Sequence, residues 1–216
     1  MKPPLVHIVD DDAAVRDGIG LLCETAGLHT ACHESAEAFL EAFADGTDER
    51  PGCLVLDVRM GRMSGPELQE ELNRRGIVLP VIFLTAHGDI PMTVRAMKAG
   101  AADFLTKPVN GADLLERVQA ALALDRAAQL QRERFAQLTQ RERETLLLAL
   151  AGHANKEIAR QLGISYRTVE LHRSHILQKT GAANMLELAR LAAGCGLPVA
   201  TSMQAGPADE TGEAGG

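Results

Sequence analysis

A short apolar run that ends in an aspartate constrains this chain more than any other feature. Cys53 to Leu56 are four consecutive apolar residues, Asp57 follows them directly, and loop residues with two glycines come next. A run of this length is typical of a strand buried on both faces of a parallel sheet. In such sheets, ligands bind in a crevice at the carboxyl ends of the strands, so we expect Asp57 to face a crevice. A loop aspartate that caps the next helix is the alternative interpretation.

Apolar runs of this kind alternate with helical patterns over the first 124 residues of the chain. The strands are predicted at 5–9, 28–33, 53–57, 81–85 and 103–106. Each is followed by a segment whose apolar residues recur at helical spacing, and the connections are only a few residues long. Such alternation predicts an α/β fold with a doubly wound five-stranded parallel sheet, in a domain of residues 1–124.

The rest of the chain differs from this first part in both pattern and charge. From Leu138 the pattern becomes purely helical, which predicts an all-α four-helix domain at 138–196. Residues 1–124 carry a net charge of −8, whereas residues 138–196 carry +3, so two partners of opposite charge are expected. Residues 125–137 are predicted to be a helical linker, and the Gly-, Ala- and acid-rich tail at 197–216 to be disordered.

Four polar groups are predicted to meet Asp57 at one edge of the sheet. Asp10 and Asp11 follow the first strand, Thr85 ends the fourth, and Lys107 follows the fifth. Three carboxylates packed together repel one another unless a cation is present, and hard oxygen ligands suit Mg²⁺. With the Lys107 ammonium and the Thr85 hydroxyl beside it, Asp57 is equipped to accept a phosphoryl group. Taken alone, the acidic residues after the first strand are also typical of a helix N-terminus.

The basic segment contains a helix, a tight turn and a second helix. Asn155 is predicted to cap the first helix, Gly163 to form the turn, and Ser165 to begin the second helix. Basic and hydroxyl groups cluster on the outer face of that second helix, where they suit phosphates and base edges of the major groove. With Lys156, the candidate DNA contacts are Arg167, Thr168, Glu170, Leu171, His172, Arg173, Ser174 and Lys179. A solvated face on a helical bundle is the alternative interpretation.

With these motifs in place, residues 1–124 resemble the receiver domain of two-component response regulators. The matching residues are Asp10-Asp11, Asp57, Thr85-Ala86, Phe104 and Lys107-Pro108. The resemblance implies that a sensor histidine kinase phosphorylates Asp57, that Thr85 and Phe104 act as a switch, and that the Lys107-Pro108 bond is cis. The magnesium ligands it implies are Asp10, Asp11, Asp57 and the backbone carbonyl of Arg59.

The helical segment resembles a second family, the LuxR-type DNA-binding domain. The matching motifs lie at 138–144, 155–159 and 167–172. Both resemblances together place the chain near the NarL/FixJ branch of response regulators, and nearer to FixJ because of the residues at 88–92. In such relatives, the positions matching Glu170, Leu171 and Ser174 face bases. The positions that mostly hold phosphates or the helix match Lys156, Thr168, His172 and Lys179.

The resemblance implies a transcription regulator, which we expect to be an activator and not an enzyme. Phosphorylation is expected to produce a homodimer that binds double-stranded promoter DNA and contacts RNA polymerase. The dimer face would lie around Val94, Arg95, Lys98 and Phe104, with the two basic side chains opposite Asp103 of the second copy.

Cysteine usage and hydropathy indicate the cellular compartment in which the protein is expected. The chain has no C-x-x-C pair, so reduced and mostly buried thiols are expected at Cys23, Cys32, Cys53 and Cys195. No apolar segment reaches the roughly 18 residues that span a membrane, and the N-terminus lacks a signal-peptide pattern. We therefore expect a cytoplasmic protein with no membrane contact.

Two other functions agree less well with the same residues. An aspartyl-phosphate hydrolase of the haloacid dehalogenase type usually has a second Asp two residues after its nucleophile, and here Arg59 stands there. An atypical regulator that ignores phosphate would not need Asp11, Thr85 and Lys107 together. One departure from the family pattern is Gly61-Arg62, where related sequences usually have Pro-Gly; it frees the loop and adds a cation nearby.

Overall fold

The structure is a computed structural model that describes residues 3–43, 50–86, 97 and 100–198. The chain divides into two compact units, Met1–Gln129 and Leu130–Gly216. The predicted helix between Asp89 and Gly100 lies almost entirely outside the described residues, and so does the predicted disordered tail from residue 199 onward.

The first unit contains the predicted five-stranded sheet, whose strands are all parallel. The strands, in the spatial order β2-β1-β3-β4-β5, are β1 (Leu5–Val9), β2 (His29–His33), β3 (Gly52–Asp57), β4 (Val81–Thr85) and β5 (Asp103–Thr106). The helices of this unit are α1 (Ala13–Thr25), α2 (Ala36–Ala42), α3 (Gly65–Arg74) and the beginning of α4 (Gly111–Ala136). The predicted fold is confirmed.

The central strands are buried on both faces, which explains their continuous apolar sequences. Every residue of β1, β3 and β4 is buried. On one face, Leu54 and Leu56 pack in a cluster with Phe39 of α2 and Leu68 of α3. On the other face, Val55 packs in a cluster that holds residues of α1 and α4. Because helices cover both faces, the chemistry of this unit is left to the strand ends.

The second unit is helical throughout its described residues. Its helices are the end of α4, then α5 (Gln140–Leu150), α6 (Asn155–Leu162), α7 (Tyr166–Thr180) and α8 (Met185–Gly194). Gly163 ends α6 in the left-handed conformation, at φ 65°, which a glycine adopts without steric cost. Asn155, predicted to be the cap of α6, is instead its first helical residue. Ala154 occupies the cap, and its N–H donates to the Glu157 carboxylate at 2.9 Å.

The segment predicted as a linker is helical, and its first residues are tied to the sheet of the first unit. Asp125 is 3% exposed and accepts a hydrogen bond from the backbone N–H of Gly52, at 2.9 Å. Gln129 donates to the carbonyl of Arg50, also at 2.9 Å. The division between the two units falls directly after Gln129. This part of α4 therefore anchors the beginning of β3.

The cysteines are all free thiols, but only two of them are buried. Burial raises the pKa of the Cys23 thiol to about 11 and that of Cys53 to about 12, so both stay protonated at neutral pH. Cys32 is exposed because β2 is an edge strand, and Cys195 is half-buried, which corrects the expectation of mostly buried thiols. Within the described ranges, no helix combines the length and the apolar character needed to cross a membrane.

Candidate acidic site and nucleic-acid interface

The register of the sheet brings the polar strand ends of the first unit together. Val9 is level with Leu56, so Asp10, directly after β1, and Asp57, the last residue of β3, lie at the same height on neighbouring strands. The Lys107 ammonium lies 2.7 Å from a carboxylate oxygen of Asp10 and 3.1 Å from one of Asp57. Asp10 is fully buried and Asp57 is 7% exposed. Two carboxylates and one ammonium thus share a single crevice at the carboxyl edge of the sheet.

The three aspartates after β1 have different roles. Asp12 is the N-cap of α1, where its side chain accepts from the backbone N–H of Ala14 at 2.8 Å. Asp10 turns inward, accepts from the N–H of Asp12 at 3.0 Å, and is further held by Arg16, which donates to its carbonyl. Asp11 is exposed at the mouth of the crevice. The helix-cap interpretation therefore holds for Asp12 alone.

The acidic residues have a spacing and chemistry that suit a magnesium ion. One carboxylate oxygen from each of Asp10, Asp11 and Asp57 lies within 4.8 Å of the other two. Mg²⁺ binds a few carboxylates, keeps several waters and takes phosphate oxygens, and a half-open acidic crevice allows all three. The backbone N–H of Arg59 bonds to the Asp57 carboxylate, so the residue whose carbonyl is the predicted ligand is held next to this cluster.

The electrostatics of the crevice favour a cation beside Asp57. Burial raises the pKa of Asp57 above its usual range, with a contribution from Asp10, although hydrogen bonds from Lys107 and Arg59 act in the opposite direction. Burial alone would lower the pKa of Lys107. The hydrogen bonds of Lys107 to the two carboxylates outweigh burial, so the pKa of Lys107 is raised. Lys107 is therefore charged, and a further cation would favour the ionised form of Asp57.

The two predicted switch residues are in different environments. Thr85 is buried at the end of β4, and its hydroxyl donates to the carbonyl of Ala86 at 3.2 Å. Phe104 on β5 is 41% exposed. The backbone N–H of Lys107 donates to the carbonyl of Thr85 at 2.8 Å, and the Lys107-Pro108 peptide is cis. The backbones of Thr85 and Lys107 are thus joined by a hydrogen bond.

Gly65 is a site residue that the sequence patterns did not reveal. It begins α3, and its N–H donates to the carbonyl of Val58 at 3.1 Å. A Cβ at this position would overlap the backbone carbonyl oxygen of Asp57 and lie 2.9 Å from the ring of Phe83. The helix can approach the end of β3 this closely only because Gly65 has no side chain. The available signal was the glycine between the capping serine and Pro66, which also fits an ordinary helix start.

Replacing Gly65 with alanine is expected to slow phosphorylation of this site. The added methyl group would push the Asp57 backbone out of place, and displacements of about 1 Å at reacting groups cost up to about a hundredfold in rate. Phosphoryl incorporation from acetyl phosphate, followed over time, measures the effect. Gly18→Ala is the matched control, because a Cβ on Gly18 meets nothing within 4 Å. Equal rates in the two variants would show that the close approach of α3 does not matter.

The second unit presents one exposed face of α7, opposite the face that packs in its core. Val169, Ile176 and Thr180 of α7 are buried. The residues on the opposite side are exposed, and four of them belong to the predicted DNA contacts: Arg167, Glu170, Leu171 and Ser174. Lys156, in the first turn of α6, is exposed as well. These five predicted contacts are therefore accessible to a double helix.

The other four predicted DNA contacts, Thr168, His172, Arg173 and Lys179, are only partly exposed. Three of them have partners inside the unit. Thr168 bonds to the hydroxyl of Ser165 at 2.8 Å. Arg173 donates to the side-chain oxygen of Asn155 at 2.5 Å, which connects α7 to the start of α6.

Lys179, whose position is expected to hold either a phosphate or the helix, is bound to a buried carboxylate. Its ammonium lies 2.6 Å from Glu142, which is 3% exposed. Burial opposes ionisation of Glu142, but hydrogen bonds from Lys179 and Thr139 outweigh it and lower the pKa of Glu142. This ion pair joins the end of α7 to α5. The capping-box motif revealed Glu142 but not this second partner.

Comparisons with known families match both units. The model of the response regulator receiver domain matches residues 6–119, and that of the bacterial regulatory proteins of the luxR family matches residues 136–192. The chain is 47% identical over 196 residues to the transcriptional regulatory protein FixJ of Azorhizobium caulinodans, which covers 87% of this chain and 90% of that protein. It is 49% identical over 183 residues to the transcriptional regulatory protein TdiR of Thauera aromatica, with 82% and 79% covered.

The solved structures include a similar full-length protein. Full-length FixJ from B. japonicum is 37% identical and matches with a TM-score of 0.52, over 89% of this chain and 97% of that one. The structure of the FixJ N-terminal part is 45% identical over 57% of this chain and 96% of that one, also with a TM-score of 0.52. The similarity thus extends through both units.

Proposed function

The chain belongs to the response regulators that join a receiver domain to a LuxR-type DNA-binding domain, and we propose that phosphorylation of Asp57 controls its binding to promoter DNA. It is a DNA-binding transcriptional regulator of a two-component system. The observation that carries the proposal is the crevice in which Lys107 contacts both Asp10 and Asp57. A carboxylate in such a position can act as a nucleophile toward phosphorus.

Phosphoryl transfer from a sensor histidine kinase would use the residues of this crevice directly. A carboxylate oxygen of Asp57 forms a bond to phosphorus while the phosphorus–nitrogen bond of the kinase phosphohistidine breaks, and the electron pair leaves with the imidazole. Lys107 and the Thr85 hydroxyl then bind phosphoryl oxygens. The residues that would hold Mg²⁺ are Asp10, Asp11, Asp57 and the carbonyl of Arg59. When bound, the ion supplies positive charge that offsets the negative charge of the carboxylates and the phosphoryl group.

We propose a regulator rather than an aspartyl-phosphate hydrolase. Hydrolases of that kind usually rely on an acid two residues after the nucleophile, and Arg59 occupies that position with an exposed side chain. The exposed Gly61-Arg62 pair adds a cation to the same loop, where it could influence how long the phosphoryl group persists. Activation of transcription through RNA polymerase is part of the proposal.

The proposed route from the crevice to the DNA is a homodimer. Bonding of the Thr85 hydroxyl to a phosphoryl oxygen vacates space behind it, and Phe104, three residues before Lys107, turns inward and reshapes the surface. Val94, Arg95 and Lys98 of the predicted dimer face lie outside the described residues. Asp103 contacts Arg117 of its own chain, so an ion pair with a second copy would have to share that carboxylate.

The experiment compares full-length protein with and without acetyl phosphate and Mg²⁺. We expect phosphorylation to raise both the dimer fraction in sedimentation and the affinity for selected genomic DNA by about tenfold, a typical coupling between sites. Protein treated in the presence of EDTA is the control. An unchanged DNA affinity in fully phosphorylated protein would instead favour a regulator that ignores phosphate.

A further inference from the structure

The exposed face of α7 extends one more turn beyond Ser174, the last of the predicted DNA contacts that is fully exposed. Arg167, Leu171, Ser174 and Gln178 are all exposed, and they follow one another at intervals of four, three and four residues. At 3.6 residues per turn, this spacing places the four side chains along one stripe of the helix. Gln178 therefore lies on the same line as Leu171 and Ser174, two of the residues predicted to face bases.

The backbone around Gln178 is fixed from behind, while its own amide is available. Its neighbour Lys179 is held by Glu142 at 2.6 Å, and the carbonyl of Thr180 accepts from the side chain of Gln131 at 3.1 Å in a buried contact. Within the described part of the chain, the Gln178 amide has no hydrogen-bond partner. A side chain that recognises a ligand needs such a rigid base, because less freedom is then lost on binding.

We propose that Gln178 is a further residue by which this protein reads DNA sequence, with an adenine as its partner. The inference rests on the proposed function, because it needs α7 to lie in the major groove. A glutamine amide carries an acceptor and a donor side by side, and adenine presents N7 as an acceptor and N6 as a donor in that groove. The two groups can form a pair of parallel hydrogen bonds.

The position of Gln178 determines which base pair it would reach. Four residues separate it from Ser174, a rise of about 6 Å along the helix axis. Base pairs are spaced about 3.4 Å apart, so Gln178 would contact a position roughly two steps from that of Ser174. The DNA sequence read by one copy of the protein is thereby longer than Glu170, Leu171 and Ser174 alone would specify.

Selection from a random DNA library by the full-length protein tests this role. We expect Gln178→Ala to lose the preference for adenine at one position of each half-site and to bind the wild-type site about tenfold more weakly. Gln178→Glu should shift that preference from adenine to cytosine, since a carboxylate accepts from the cytosine amino group. Gln161→Ala is the matched control, because Gln161 is an exposed glutamine on α6, outside the α7 stripe.

The outcomes separate this inference from the proposed function. If wild-type protein enriches no sequence at all, the proposed function fails. If it enriches a site and Gln178→Ala enriches the same site with the same ranking, Gln178 does not read bases. A uniform loss of affinity on all sequences, with a smaller dependence on salt, would make it a phosphate contact and would also overturn the inference. Thermal unfolding curves that match the wild-type curve would show that each variant is folded.

Discussion

Asp57→Asn is expected to take up no phosphoryl group from acetyl phosphate and Mg²⁺, whereas the wild-type protein takes up one. The amide oxygen is a far weaker nucleophile than a carboxylate, and the substitution also removes one of the two carboxylates that Lys107 contacts. DNA affinity of the variant should then stay at the unphosphorylated level with or without acetyl phosphate. Intact-protein mass spectrometry counts the transferred groups.

Asp12→Asn is the matched control for that variant. It also replaces a carboxylate with an amide, but at the cap of α1 rather than at one of the carboxylates that Lys107 contacts. Asp12 caps α1 through the N–H of Ala14, and asparagine is an equally good cap, so helix and crevice should both be preserved. This control should be phosphorylated at the wild-type level. Adding EDTA to the wild-type protein should remove the label. A full complement of label on Asp57→Asn would place the phosphorylation site elsewhere in the chain.

The strand ends of the first unit were predictable because a local sequence pattern determines them. A strand buried on both faces needs a continuous apolar run, so Leu54 to Leu56 showed both the strand and its end at Asp57. The close approach of Gly65 to Asp57 was not predictable, since it depends on how α3 packs against the end of β3. The ion pair of Asp103 with Arg117 joins β5 to α4, and the sequence pattern of neither element predicts this contact.

In the second unit, the sequence predicted the helices and the exposed face of α7 but not the fixed end of that helix. Capping residues and helical spacing are local signals, and they were sufficient for α5 and α7. The contact of Lys179 with Glu142 joins residues 37 positions apart. A lysine on a basic helix looks the same in the sequence whether it binds DNA or a buried carboxylate. Only the packing of α5 against α7 distinguishes these two roles.

Phe135→Ala is expected to destabilise the second unit strongly, although the sequence placed Phe135 in a linker. Phe135 is 7% exposed and packs in the apolar cluster that contains Leu146, Leu150 and Ile176. Truncating a buried phenylalanine costs about 3–5 kcal/mol, which is a large share of the stability of a small domain. Hydrogen exchange of the backbone amides in α7 and α8 of the full-length protein measures the loss.

The control for Phe135→Ala is Leu130→Ala, at the start of the same part of α4. Leu130 is 50% exposed, so its truncation should change the stability by no more than about 0.5 kcal/mol. Phosphorylation of Asp57 should proceed normally in both variants, because that site lies in the other unit. If Phe135→Ala exchanged its amides as slowly as Leu130→Ala, the end of α4 would be a spacer after all. Faster exchange confined to the second unit would show that α4 supplies part of its core.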